Sequence, residues 1–496
     1  MQGDHQGRPY RDHAGDHQGR PYRDHAGDHQ GRPYRDRVHT GDHRGDHQGR
    51  PYRDNATMPI HFAWPAGLLS HLRFRADEFL AGPPEPESYA DPTARANRRL
   101  LWWDGLFSNA SEAFVNNFIY PFVVTLGATN NQVGVISALG NLGAAAGLLP
   151  GARLAERHGS YKRLVVLTGG GLGRVLLLAL AVLPLLWNGP ALIYLVATFI
   201  ALRAFVSQLG FPAWSALVAR LVPQAIRGRY FASRNIGLAL AALLFTPLGG
   251  RIIEWGGGVR GYQIGFALAG LMGFVATGFF ARIQEPPSAA TLQPSRPERA
   301  RLLSLLRAHP RFAAFAGVTL LWNLALMVAG PFFSVYLVRE LRASPTLIGI
   351  LAALNSLGNI VGQRYWGRVN DHRGPAWVTG LTGLLIPSLP LLWSLVPNAW
   401  WLIPVEFYSG FIWAGYGLAG FNLLLSLAPE AQRPRFAALY QMAVFGPAFV
   451  GPLLGSALAN ALTLRPLLWI SGAGRFIAAL LFLLTVGRGQ EREPLE

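Results

Sequence analysis

The chain contains no cysteine. That excludes structural disulfides, thiolate metal sites, iron–sulfur ligation and cysteine nucleophiles, and it leaves oxidising and reducing compartments undistinguished. Lysine is almost as scarce: Lys162 is the only one, so arginine carries the basic charge. Charged residues of both signs make up 14% of the 496 residues, against about 25% in an ordinary soluble domain. No short apolar core near the amino end resembles a signal peptide. What is abundant is apolar. Hydrophobic residues reach 51%, with 57 glycines and 14 tryptophans, and the mean hydropathy is +0.23 although residues 1–100 are strongly polar. A soluble core does not need that much apolar sequence, and a disordered chain would not hold it; the composition is that of a membrane protein.

Residues 3–57 repeat the unit GDHQGRPYRDHA, with copies from Gly3, Gly15, Gly27 and Gly45, the last two altered only in their final residues. Each unit has two Asp and two Arg and almost nothing apolar to bury, so residues 1–57 are expected to be disordered. A perfect period of this kind also results from a DNA repeat read in frame, with Met58 as the true start. The balanced charge argues against a nucleic-acid tail. Residues 58–100 mix Phe62, Trp64, Leu68 and Phe79 with Arg73 and Arg75 and read as a cytosolic lead-in.

From Leu101 onward, apolar stretches recur that are long enough to cross a ~30 Å hydrocarbon layer as helices. They fall near 101–126, 131–154, 163–187, 190–219, 230–253 and 260–283, then near 311–338, 345–366, 376–396, 399–427, 436–460 and 465–487. The expected fold is an all-α polytopic membrane protein of twelve transmembrane helices. Two six-helix bundles, 101–283 and 311–487, are joined by a Pro-, Ser- and Arg-rich cytosolic linker at 284–310 and followed by a tail at 488–496. Short loops on one face carry Arg153, Arg157, Lys162, Arg163, Arg227, Arg229, Arg234, Arg368, Arg373, Arg433, Arg435 and the linker arginines; the other face has only Arg251, Arg260, Arg339, Arg342 and Arg465. This asymmetry puts both termini in the cytoplasm of a plasma (inner) membrane protein. The net charge of +17 therefore reflects topology, and no nucleic-acid partner is expected. The glycine run Gly169–Gly173 lies inside a span with no strand before it, so helix packing explains it better than a phosphate loop does.

The two sets of spans are related. A shift of 215 residues carries Gly134, Gly143, Gly147, Arg153 and Gly159 onto Gly349, Gly358, Gly362, Arg368 and Gly374, with Glu156 meeting Asp371. A shift of 206 aligns the loop from Pro223 with that from Pro429. Equal numbers of spans give both halves the same orientation, which is a parallel-repeat transporter architecture with its site near the midplane between the halves.

These loops resemble the major facilitator superfamily, whose signature between spans two and three, often repeated between eight and nine, is G-x-x-x-D-R-x-G. The second copy here is Gly367-Arg-Val-Asn-Asp371-His-Arg-Gly374. The first departs from it, with Ala152 for the leading Gly and Glu156 for Asp, then Arg157 and Gly159. The resemblance covers nearly everything from residue 101 to 488. It implies alternating access, with the loop acids latching the cytoplasmic side. Glu156 would meet Arg433 and Arg435 at the start of span eleven, and Asp371 would meet Arg227 or Arg229. The rival account is that these charges only fix topology.

Charges inside spans are costly, at least ~2.5–3.5 kcal/mol each on insertion scales. Glu112, Arg174, Arg203, Glu406 and Arg475 are such charges. The family's cavity is lined by spans one, four, seven and ten, which makes Glu112, Arg203 and Glu406 cavity residues, with Asn116, Gln208, Asn323, Tyr408 and Trp413 as polar or aromatic neighbours. Ser108, Glu112 and Asn116 succeed one another at i, i+4 and share a face of span one. Either Glu112 or Glu406 forms a static pair with Arg203, or the carboxylates carry protons. Arg174 and Arg475 lie off the cavity helices and are expected in packing or structural pairing.

The family's antiporters carry a G-P-x-x-G element in span five. Here Gly451, Pro452 and Gly455 have that form in span eleven, and span five has only Thr246-Pro247-Leu-Gly-Gly250. The reading is a monomeric secondary transporter in the lipid bilayer, without cofactor, metal or enzymatic activity. It leans to proton-coupled export of a drug-like or organic solute. Uptake of a sugar or organic anion by symport is the alternative, and a non-transporting sensor or scaffold is the rival of another class.

Overall fold

The computed structural model describes residues 77–81, 92–157, 160–285, 306–428 and 433–487. The repeat at 1–57, His158, Gly159 and the tail at 488–496 lie outside the described residues, as do most of the lead-in and linker and the side chains of Arg433 and Arg435. No strand occurs among the described residues.

Twelve spans run through the described residues. Ten are single helices or helix pairs long and apolar enough to cross a membrane. Span one is Pro92–Ala113 followed, after a break, by Ile119–Thr125, and span ten is Leu402–Leu427. The others are Asn130–Arg157, Tyr161–Leu186, Pro190–Leu221, Gln224–Gly256 and Gly258–Ala281 in the first half. The second half has Pro310–Arg339, Pro345–Arg373, Pro375–Leu395, Arg433–Leu462 and Leu464–Thr485. Helices dominate because lipid offers no partner to a free backbone group. Proline opens spans four, seven, eight and nine, where its fixed φ suits the first turn and its missing N–H costs nothing.

Two boundaries differ from the apolar pattern. Span one begins at Pro92, well inside the polar lead-in, because its polar residues find partners on neighbouring elements. Arg98 Nε donates to Ala81 O at 2.7 Å, Tyr230 Oη donates to Arg98 O at 2.8 Å, and Asn97 exchanges two hydrogen bonds with the Gln284 backbone. The signature loops are also largely helical: span two runs through Glu156 to Arg157 and span eight through Gly367 and Asp371 to Arg373. Gly374 then turns the chain with φ +80° into Pro375, a conformation that penalises a Cβ.

Glycine sets the packing within each half. A Cβ on Gly143 or Gly147 would overlap the carbonyl oxygens of Ala201 or Phe205, and one on Gly358 or Gly362 would overlap those of Phe407 or Phe411. Spans two and four therefore touch backbone to backbone, as do eight and ten, a small-residue contact suited to lipid. Exposed tryptophans Trp187, Trp255, Trp400 and Trp401 cluster at span ends away from the arginine-rich loops, where an interfacial belt belongs.

Candidate functional site

A cavity of about 220 Å³ enters the first half between spans one and four, with spans three and six as its floor. Glu112 of span one is its electrostatic centre. Its Oε1 accepts from Arg203 Nη2 of span four at 2.5 Å and from Arg174 Nη1 of span three at 3.1 Å. Arg174 also reaches Ser111 Oγ at 3.1 Å and Ser108 Oγ at 3.2 Å, and Ser111 Oγ donates to Ala269 O of span six at 2.6 Å. One carboxylate and its partners thus tie four spans together. Charge-assisted bonds of this kind are strong where water is scarce.

Arg174, expected away from the cavity, lines it. The cause is the conformation of span three, which is a π-helix over Val166–Leu172. Each π turn holds an extra residue and so rotates the helix beyond it. The glycine run makes this possible: Gly169 lies against Ser207 of span four, and Thr277 of span six donates to Gly170 O at 2.8 Å. The run is a packing device, with a widened turn as its form.

Asn116, placed by spacing on the face of Ser108 and Glu112, is not on it. The helix ends at Ala113, and Asn116 falls in the break, exposed, with its N–H on Glu112 O at 2.9 Å. The face extends the other way. Asp104, one turn before Ser108, lines the cavity and is 8% exposed. The i, i+4 spacing that joined Ser108 to Glu112 also reaches Asp104 and was the available signal for it.

Glu406 does not approach Arg203. It belongs to the second half, where Asn355 Nδ2 of span eight donates to its Oε2 at 2.8 Å and to Ser409 Oγ at 3.2 Å. Of the remaining polar neighbours, Tyr408 pairs with Ser388 at 3.3 Å and Asn323 donates to Thr319 O within its own helix at 2.8 Å. Trp413 packs with Trp322 and Tyr416, and Gln208 faces Gly147 of span two. Arg475 has no acidic partner among the described residues: it is 2% exposed, its Nε and Nη2 lack hydrogen bonds, and its guanidinium lies 5.7 Å from the Phe333 ring. Packing, not ion pairing, is its setting.

The halves meet asymmetrically. On the face opposite the arginine-rich loops, Arg339 donates to Asn130 Oδ1 at 2.8 Å and to Ala128 O, and Asn460 bonds both Asn130 at 3.2 Å and Asn131 at 2.6 Å. The Thr346 N–H reaches Glu254 Oε2 at 3.1 Å. Deeper in, Asn141 donates to Ala448 O at 3.0 Å, and Gly134 lies against Pro452 and Ser456 as Gly349 lies against Thr246 and Pro247. Gly451 and Gly455 pack on Met327 and Val328 of span seven. These six side-chain hydrogen bonds join the halves, and each lies away from the arginine-rich end. At that end Glu156, Arg157, Asp371, Arg227 and Arg229 are exposed, and Arg227 bonds back to Ala219 O and Val222 O. No ion pair among the described residues links Asp371 to Arg227 or Arg229. Asp371 is not latched in this conformation, and the clasps at the opposite end, on residues that spacing did not single out, hold the halves together.

Two parallel six-helix halves joined at one end, with a partly buried ion cluster in a cleft of the first half, are the architecture of a membrane transporter. Similarity to known proteins agrees. The model of the Major Facilitator Superfamily matches residues 105–329 and 316–496. The Multidrug resistance protein MdtG of Dickeya zeae (strain Ech586) is 26% identical over 412 residues, covering 80% of this chain and 96% of that protein. Among solved structures, a bacterial homologue of the iron transporter ferroportin in an inward-facing state has a TM-score of 0.64 at 16% identity, covering 79% of this chain and 99% of that one. A bacterial homologue of the human lysosomal transporter Spinster, inward-facing and unoccupied, gives 0.61 at 15%, covering 82% and 99%. The chain belongs to the major facilitator superfamily. It is a multi-pass membrane transporter with the twelve-helix fold of that family, and its class of substrate is a small molecule.

Proposed function

We propose that this transporter exports a drug-like organic solute in exchange for protons, with Glu112 as the exchanging carboxylate. The observation that carries the reading is the Glu112–Arg203–Arg174 cluster in the cleft between spans one and four. A proton on Glu112 would leave two half-buried guanidiniums without their partner, so protonation and rearrangement of the cleft are one event. A scaffold has no use for that coupling. With the arginine-rich loops in the cytoplasm, the observed conformation reads as inward-open. In the outward-open one, Glu156 and Asp371 meet the arginines of the other half while Arg339, Asn460 and Glu254 let go. Pro452 and its flanking glycines, seated against spans two and seven, are the pivot. Similarity over 96% of a protein named for multidrug resistance supports a drug-like solute. Glu406 is a second candidate proton site, and the chain acts as a monomer.

The test is purified protein in liposomes under an imposed pH gradient, tracking efflux of a fluorescent amphiphile and proton movement together. Wild type is expected to move both in opposite directions. Glu112→Gln is expected to abolish gradient-driven efflux while equilibrative exchange persists. If Glu112→Gln and Glu406→Gln each leave pH-driven flux intact, coupling through these residues is wrong.

A further inference from the structure

Glu112 is already held by two arginines, but the second acid of the cleft is not. Asp104 is 8% exposed and lines the cavity, with no hydrogen bond and no direct ion pair among the described residues. Beside it stands a cation that is also unsatisfied. Arg234 of span five has its Nε buried without a hydrogen-bond partner, and its Cζ lies 5.6 Å from the centre of the Trp214 ring. Gly105 makes the room: a Cβ there would come within 2.7 Å of the Arg234 Nε. The guanidinium is therefore stacked on an aromatic face one residue from a buried acid, held by cation–π attraction and by field, without touching the carboxylate.

Resting on the transporter reading above, we propose that the space between Asp104 and Trp214 is a subsite for the cationic head of an aryl organic cation, and that Arg234 is its resident occupant when substrate is absent. The surroundings suit such a ligand. Phe211 stacks on Trp214 with ring centroids 5.9 Å apart, and Phe211, Trp214 and Phe280 line the same cavity as Asp104. A mobile cation can do what the tethered one does not: donate directly to the carboxylate and stack on the indole at once. Desolvated cation–π contacts and hydrogen bonds to a charged group both favour such a ligand. The ligand must also displace Arg234. That residue rides on span five, whose Thr246 and Pro247 bear on span eight at Gly349, so occupancy of the subsite acts on a contact between the halves.

Binding to the purified full-length protein tests this, with benzylguanidinium as cation, benzyl alcohol as neutral control and benzenesulfonate as anion. Wild type is expected to bind benzylguanidinium and neither control. Asp104→Asn should weaken that binding by at least about tenfold, and Asp104→Glu should hold it within a few fold, which separates charge from misfolding. Arg234→Gln should tighten it, because the competitor is gone. The proposal is overturned if Asp104→Asn binds like wild type, if Arg234→Gln binds as weakly as Asp104→Asn, or if wild type binds only a control. Proton-driven efflux in liposomes is read in parallel: intact efflux of a solute alongside a failed cation site rejects this proposal and leaves the transporter reading standing.

Discussion

At the scale of single residues, the cost of burying charge made part of the site readable. Glu112 and Arg203 stand out in any apolar helix, and they meet at 2.5 Å. The double occupancy of Glu112 was not readable, because Arg174 reaches it only through a π turn that no hydrophobic period announces. Glu406 and Arg203 looked equally suited to pair, yet they sit in different halves, and spacing carries no information across a rigid-body interface. The cluster makes a definite energetic prediction. Removing one member of a desolvated ion pair leaves the other uncompensated, a cost that shrinks with exposure, and here the Glu112 side chain is 30% and Arg203 15% exposed. Glu112→Gln, which strands two guanidiniums, should therefore lower the melting temperature of the detergent-purified protein more than Arg203→Gln, which leaves Glu112 paired with Arg174, and the double variant should lose less than the sum of the two. Strict additivity of the two effects would mean that the pair is not energetically coupled.

At the scale of helices, the repeat carried furthest. Glycines aligned by a shift of 215 contact residues aligned by a shift of 206: Gly143 and Gly147 meet Ala201 and Phe205, and Gly358 and Gly362 meet Phe407 and Phe411. The register of two sequence alignments is thus the register of two helix pairs. The ends of the helices were less legible. Apolar windows stop where charge begins, but helices continue as long as their polar groups are satisfied, as at Asn97 and Arg98 or from Gly367 to Arg373. Gly367 separates packing from function. Nothing lies within 4 Å of the position its Cβ would take, while a Cβ on Gly358 would overlap Phe407 O. Gly358→Val should prevent recovery of monodisperse protein, because a backbone carbonyl cannot give way. Gly367→Val should leave the melting temperature close to that of wild type and still slow turnover, since the open face it borders must close in each cycle. Wild-type turnover in Gly367→Val would remove the case for close approach at that glycine.

At the scale of the whole molecule, one conformation shows half of a cycle. The exposed loop acids on the arginine-rich face and the clasps of Arg339, Asn460 and Glu254 on the other are two ends of one balance, since rigid halves cannot close on both faces. The sequence displayed the resting end of that balance through its signature motif. It hid the engaged end because Asn130, Asn131, Asn460 and Thr346 are ordinary polar residues at helix ends until the two halves are placed together. The absence of cysteine turns this into a clean experiment, because every thiol introduced is the only chemistry available to a thiol reagent. With Asn130 and Asn460 in contact at 3.2 Å, Asn130→Cys and Asn460→Cys should be bridged by a short bifunctional methanethiosulfonate. The bridged protein should bind solute yet carry out no turnover until a reductant cleaves the link, while each single cysteine treated alike should transport normally. Continued turnover in the bridged protein would mean that this face does not open during transport, and alternating access about the Asn130–Asn460 clasp would have to be abandoned.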